Sequence, residues 1–245
     1  MRLLLLDIET SPLTAHVWGL WDQNIGLNQI LDTGRVLCWS AMWYGTSKIM
    51  FDSGYKSSHR DMLQGVHNLL SEADAVIHYN GSKFDIPVLA KEFLLNGMTP
   101  PSPFKQIDLC QVAKRQFRFP SNKLDFIAQE LGLGKKRKTD HQLWIDCMNN
   151  VPKAWKEMEA YNKHDVKLLE GVYVKLLPWI KNHANHNLYG KTQVCPNCGG
   201  NHYQCRGTAT TSALRYPRFQ CTDCGTWFRG TPSQGPKPKE KFYSL

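Results

Sequence analysis

The sequence predicts a mixed α/β domain in which helices flank a β-sheet, followed by a small metal-held domain and a flexible basic tail. Three observations lead there. Apolar runs of strand length give way to alternating strand and helix patterns over most of the chain. That alternation ends at a polar stretch, Asn182-His-Ala-Asn-His-Asn187, and beyond it two C-x-x-C pairs stand in a segment too small to build its own core. With 245 residues, 42% of them hydrophobic, the chain can hold one full-sized domain and one small one.

Taken in order, the elements begin with strands near Arg2–Ile8, Val36–Tyr44 and Lys48–Asp52, the last two joined by the turn-forming Gly45-Thr46-Ser47. Helical spacing of Met62, Val66, Leu69 and Leu70 follows, then a short strand over Ala75–Tyr79. A second helix runs from about Phe84 to Leu95, where Asn96-Gly97 and prolines 100, 101 and 103 stop it. Ile107-Asp108-Leu109 opens a further element, and Leu124, Ile127, Ala128 and Leu131 have helical spacing up to Gly132. A long helix is expected from about Lys153 to Leu177, ended by Pro178. The boundaries predicted are therefore 1–182 for the main domain, 183–192 for a linker, 193–231 for the cysteine module and 232–245 for a flexible tail rich in proline, glycine and lysine.

The leucine run Leu3–Leu6 is far too short to span a membrane and lacks the longer apolar core and small-residue cleavage site of a signal peptide. It reads as a buried strand in a cytoplasmic protein. Four of the eight cysteines form the C-x-x-C pairs and the others are scattered, a pattern that suits metal ligands and buried thiols rather than disulfides. The formal net charge is +9, and the segment from His186 onward carries +6 of it, eight Lys/Arg against two acids. A polyanion is a fitting partner for such a tail.

The chemistry-bearing residues start at Asp7-Ile8-Glu9. Carboxylates at i and i+2 of a strand point to one face, and two like charges held that close need a cation. Oxygen-only ligands favour Mg²⁺ or Mn²⁺, which bind phosphates as readily as carboxylates. Asp85, in His78-Tyr-Asn-Gly-Ser-Lys-Phe-Asp85, falls just after a strand and at the start of a helix. Taken alone it could simply cap that helix. Tyr161 and Asp165, at i and i+4 of the long helix, share a face and could be a surface pair or part of a site.

Together these segments resemble the DEDD superfamily of 3′-5′ exonucleases, which have an RNase H-like fold. Asp7-Ile-Glu9-Thr is similar to its first motif, Asn80-x-x-x-Phe84-Asp85 to its second, and Tyr161-x-x-x-Asp165 to its third in the tyrosine variant. The stretch from Tyr79 to Leu89 looks most like the proofreading exonuclease domain of family B DNA polymerases. The resemblance covers roughly residues 1 to 180, and no polymerase domain follows it in this chain. It implies two Mg²⁺ or Mn²⁺ ions about 4 Å apart. Asp7 would bridge them, Glu9 and Asp165 would help hold the one that activates water, and Asp85 would act through the shell of the second. Tyr161, helped by Glu9, would orient the attacking water. Asn80 and Phe84 are candidate substrate contacts, Phe84 equally readable as core packing. Asp108 lies where the family often bears an acid near the site. His164 is out of register with the histidine variant and is given no role. The run Lys135-Lys-Arg-Lys138 could track a phosphate backbone or be a solvated loop.

Cys195-Pro-Asn-Cys198 and Cys221-Thr-Asp-Cys224 are each followed by glycine, which permits the tight turn that aims both sulfurs at one metal. Four thiolates in a tetrahedral set imply one structural Zn²⁺, and the pattern resembles zinc ribbons, with 22 residues between the pairs for a β-hairpin. A closed four-cysteine site leaves no position for a substrate. Arginines at 206, 215, 218 and 229 lie among Tyr203, Tyr216, Phe219, Trp227 and Phe228, a mixture seen in single-strand binders, with docking onto a replication or repair protein as the competing reading. The function expected is a metal-dependent 3′-5′ exonuclease acting on single-stranded DNA. An exoribonuclease acting on RNA and a non-catalytic nucleic-acid-binding adaptor are the alternatives, and no membrane association is expected.

Overall fold

Four consecutive leucines place β1 (Leu3–Thr10) at the centre of the molecule's main sheet, with Leu4, Leu5 and Leu6 completely buried. The computed structural model describes residues 1–190, 192–211 and 214–231, which pack as two units, Arg2–Tyr173 and a second that starts at Val174. The tail expected over 232–245 lies outside the described residues.

After β1 a two-stranded hairpin, β2 (Thr14–Ala15) and β3 (Ile30–Asp32), leads to β4 (Val36–Trp43) and β5 (Ile49–Ser53). Then come α1 (His59–Glu72), β6 (Ala75–His78), α2 (Asp85–Leu95) and β7 (Lys105–Asp108). Helices α3 (Leu109–Gln116), α4 (Leu124–Glu130), α5 (His141–Met148) and α6 (Pro152–Leu176) follow. The five-stranded sheet has the order β5-β4-β1-β6-β7. β4 runs antiparallel to both β1 and β5, whereas β6 runs parallel to β1 and β7 parallel to β6. This is the mixed, helix-flanked sheet expected from the sequence.

Alternation along β1 decides which layer each residue joins. Leu4, Leu6 and Ile8 pack with Met62, Leu63, Val66 and Leu70 of α1 and with Leu89 and Phe93 of α2. Ser58 caps α1 by accepting a hydrogen bond from Asp61 N at 3.1 Å. Elsewhere Leu37 and Cys38 of β4 pack with Leu143 and Cys147 of α5 and with Ala154, Trp155, Met158 and Tyr161 of α6. Each fully buried leucine contributes about 1.5–3 kcal/mol, so the four-leucine run anchors the strand whose end carries the acids.

Two elements were not expected. The β2–β3 hairpin carries Trp18, Leu20 and Trp21 at 97%, 89% and 83% exposure, so its apolar residues follow no buried period. α5 buries only Leu143 and Cys147, too few to display a helical repeat. The long helix runs from Pro152 to Leu176, beginning on a proline, whose missing N–H costs nothing at the first helical position.

The second unit contains a three-stranded antiparallel sheet of β8 (Tyr203–Thr210), β9 (Arg215–Cys221) and β10 (Trp227–Arg229), with β9 in the middle. It stands beside the four cysteines, an arrangement consistent with a zinc ribbon. No described helix is long and apolar enough to cross a membrane.

Candidate active site

The end of β1 and one face of α6 meet at a group of carboxylates. Period-2 alternation puts Asp7 and Glu9 on one side of β1, and the pairing of β1 with β4 shifts register just after Glu9. On α6, Tyr161 and Asp165 are one turn apart. Carboxylate oxygens of Asp7, Glu9 and Asp165 lie within 4.8 Å of one another. Asp85 is tied to the same strand end, because its Oδ1 accepts a hydrogen bond from Ile8 N at 3.2 Å. It opens α2 from a buried position, while Phe84 before it is exposed.

These acids destabilise one another's ionised forms. Burial, and after it the charges of Glu9, Asp85 and Asp165, hold Asp7 well above the usual carboxylate range. Burial pushes Glu9 up to about 8 against the opposing pull of Lys136. Burial likewise pushes Asp85 up to about 6, opposed by hydrogen bonds from its own amide and that of Ile8. Asp165 is raised by burial, again opposed by Lys136.

Lys136 is the cation among these acids. Its Nζ lies 2.7 Å from Asp165 Oδ2 and 3.4 Å from the Tyr161 hydroxyl, and 5.5 Å from the centre of the Tyr161 ring. Burial alone would lower its pKa, but Asp165 outweighs burial and the ammonium is held above its ordinary value. The loop bearing it is pinned twice: Lys136 N donates to Asp125 Oδ1 at 2.7 Å, and the His164 ring bonds Lys135 O at 2.9 Å. Of the basic run 135–138, then, one member faces the site. Asn162, completely buried, donates from Nδ2 to Asp7 Oδ2 at 2.7 Å. Its place beside Tyr161 was the only sequence signal for it. Trp144 of α5 packs edge-on against Tyr161, with ring centres 5.8 Å apart.

A cleft of about 640 Å³ adjoins the acids, lined among others by Asp7, Tyr79, Asn80, Lys114, Lys123 and Lys136. Asn80 has a left-handed backbone (φ 63°), uncommon for a residue with a side chain. Asp108 holds it there: Asp108 Oδ1 accepts from Asn80 N at 2.9 Å and from Cys110 N and Gln111 N at 3.0 and 3.3 Å, capping α3 at the same time. Asp108 thus lies behind the cleft rather than among the three converging carboxylates.

Residues 4–177 match the RNase H superfamily. The chain belongs to that superfamily. The chain is also similar in fold to the family B DNA polymerase from the hyperthermophilic archaeon Pyrobaculum calidifontis, with a TM-score of 0.56 and 18% identity, covering 72% of this chain and 24% of the polymerase. The chain therefore aligns with about a quarter of that polymerase's length. No curated protein matches the chain in sequence.

The four cysteines lie outside the RNase H superfamily match. Their sulfurs also lie within 4.8 Å of one another, with Cys195 to Cys224 and Cys198 to Cys221 each 3.7 Å apart. Zn–S bonds of about 2.3 Å in a tetrahedron require sulfurs about 3.8 Å apart, so the set fits that ion. Gly199 and Gly225 take positive φ of 77° and 81° at the two turns, and Gly200 N points at Cys198 Sγ at 3.3 Å. Asn197, inside the first pair, donates to Leu177 O and Ile180 O at 3.1 and 2.9 Å. Cys205 and His202 are not in the cluster; the His202 ring bonds Asp223 at 3.0 Å instead.

Proposed function

We propose that residues 1–182 form a metal-dependent 3′-5′ exonuclease of the DEDD tyrosine variant, that 183–192 link it to a zinc ribbon at 193–231, and that the substrate is single-stranded nucleic acid, DNA in the first instance. The observation that carries this reading is the convergence of Asp7, Glu9 and Asp165 on the face of α6 that bears Tyr161, with Asp7 also lining a cleft that Lys114, Lys123 and Lys136 border. The donor set fits hard divalent ions: all ligands are oxygen, the acids resist ionising without a cation, and Asp165 Oδ1 is buried with no hydrogen-bond partner among the described residues. Two Mg²⁺ or Mn²⁺ ions held by Asp7, Glu9, Asp85 and Asp165 would supply an activated water and charge stabilisation at the phosphoryl and departing 3′ oxygens.

The protein's own groups do the rest. Tyr161 and Glu9 orient the attacking water. Burial and the nearby acids raise the tyrosine's pKa, so it serves as a hydroxyl and not as a base. Asn162 fixes the carboxylate of Asp7, and Lys136 adds positive charge where the phosphoryl oxygens gain negative charge. Asn80 and Phe84 contact the terminal nucleotide, one by hydrogen bonds and one by packing. One Zn²⁺ on Cys195, Cys198, Cys221 and Cys224 holds the ribbon folded.

The test follows 5′-labelled single-stranded DNA and RNA of matched sequence in time, with Mg²⁺ or Mn²⁺ and with EDTA. Metal-dependent shortening from the 3′ end is expected, and the faster strand names the sugar. Intact strands with binding retained would replace the enzyme by a nucleic-acid-binding adaptor.

A further inference from the structure

Alternation along β9 sends Tyr216, Arg218 and Gln220 to one face of the ribbon's sheet and Phe219 to the other. On the second face Phe219, Phe228 and Tyr203 pack together with ring centres 5.5–5.6 Å apart, so these three supply the module's small core. The first face is different. Pairing of β10 with β9 sets Trp227 beside Gln220 and Arg229 beside Arg218. The guanidinium of Arg229 lies 4.4 Å from the centre of the Tyr216 ring, and that of Arg218 lies 4.9 Å from the Trp227 ring. The result is a row, Tyr216-Arg229-Arg218-Trp227, of two paired arginines with an aromatic ring against each.

Three of these four side chains are exposed, Tyr216 being half-buried, and the row is preorganised. Arg218 and Arg229 are exposed, and Trp227 is 50% exposed, an unusual position for a tryptophan the core does not need. Arg218 is held by its Nε and Nη2, which donate to Arg206 O at 3.0 and 2.9 Å. The one acid within 193–231, Asp223, is occupied by His202. Guanidinium groups fixed on aromatic faces lose little freedom when they bind, and here no carboxylate of the described module neutralises them.

We propose that this face is a binding site for single-stranded nucleic acid, with Arg218 and Arg229 on phosphates and Trp227 stacked on a base. Charge alone would suit any acidic partner. The exposed Trp227 ring in the same row favours a polyanion that also offers unstacked bases. The inference deepens the exonuclease reading by giving it a second strand contact, separate from the carboxylates.

The test uses the zinc-loaded full chain without Mg²⁺ or Mn²⁺, and fluorescence anisotropy of labelled 20-nucleotide oligo(dT) and oligo(U) over a range of salt. Trp227→Ala should weaken binding about tenfold. Replacing Arg218 and Arg229 together by Ala should lower the slope of log affinity against log salt by about 1.4, two phosphate contacts at about 0.7 each. Arg229→Gln alone should remove about half of that change. All three variants should keep their zinc and their circular dichroism, and with Mg²⁺ should hydrolyse a tetranucleotide at the wild-type rate. Wild-type affinity and slope in zinc-retaining variants would overturn the site and favour protein docking. Loss of binding in the variants of a protein that degrades nothing would sink the exonuclease reading and leave the row standing. Loss on oligo(dT) alone or oligo(U) alone identifies the strand bound.

Discussion

Asp165 is completely buried and ion-paired to Lys136, and the balance between that lysine and four acids sets the behaviour of the site. Asp7→Ala and Asp165→Ala should each lower turnover about 10³-fold or more without unfolding the chain, and appreciable activity in both would end the assignment. Tyr161→Phe should cost less, about 10²-fold, because only water orientation is lost. The raised acids also predict a pH effect. Glu9 near 8 and Asp85 near 6 keep protons in the folded, metal-free protein that the unfolded chain has already released. Stability without divalent ions should therefore fall as the pH rises from about 4 to 8. Cations need the deprotonated acids, so their affinity should rise over the same range and their binding should release protons. Thermal melts at pH 6 and 8, with and without Mg²⁺, check both signs: the metal-free melting temperature should be lower at pH 8, and Mg²⁺ should stabilise most there.

Among the elements, β1 and α6 present acids while β7 supports from behind. Asp108, at the end of β7, caps α3 and secures Asn80 in its left-handed conformation. Asp108→Ala leaves the Asn80 amide and the α3 cap unpaired and should cost about 1–3 kcal/mol in urea unfolding. Asp108→Asn keeps an acceptor oxygen and should recover most of that loss. Equal destabilisation by both would mean that the charge, not the acceptor, is what the loop uses. In β1, Leu6→Ala removes a side chain packed beneath α1 and α2 and should cost about 2–5 kcal/mol.

For the whole molecule, the two units rest on different sources of stability. Arg2–Tyr173 buries a broad apolar core, whereas the ribbon's apolar cluster is a few rings beside four thiols. If the four cysteines hold zinc as proposed, its chelation should therefore unfold this small module. Cys205 is exposed, Cys38, Cys110 and Cys147 are buried, and none of the eight cysteines forms a disulfide. Thiol titration should then count one fast-reacting group in the zinc-loaded protein and five after chelation. Five at the outset would remove zinc from the description.

The sequence by itself determined what depends on local period and spacing. Alternation in β1 puts Asp7 and Glu9 on one face, one helical turn joins Tyr161 to Asp165, and glycine after each C-x-x-C permits a metal-aimed turn. The sheet flanked by helices followed from the same patterns. Tertiary structure alone decided what depends on distant segments closing on one another. It brings Lys136, from a run readable as solvated loop, onto Asp165, and Asn162 onto Asp7 across 155 residues of sequence. It also makes α5 and the β2–β3 hairpin, whose residues carry too little burial to leave a period, and it sorts the ribbon's aromatics into a packed face and a row set against exposed arginines. Short-range geometry is a property of the backbone and is written in the spacing of side chains. Long-range neighbours are chosen by packing, and spacing along the chain carries no record of them.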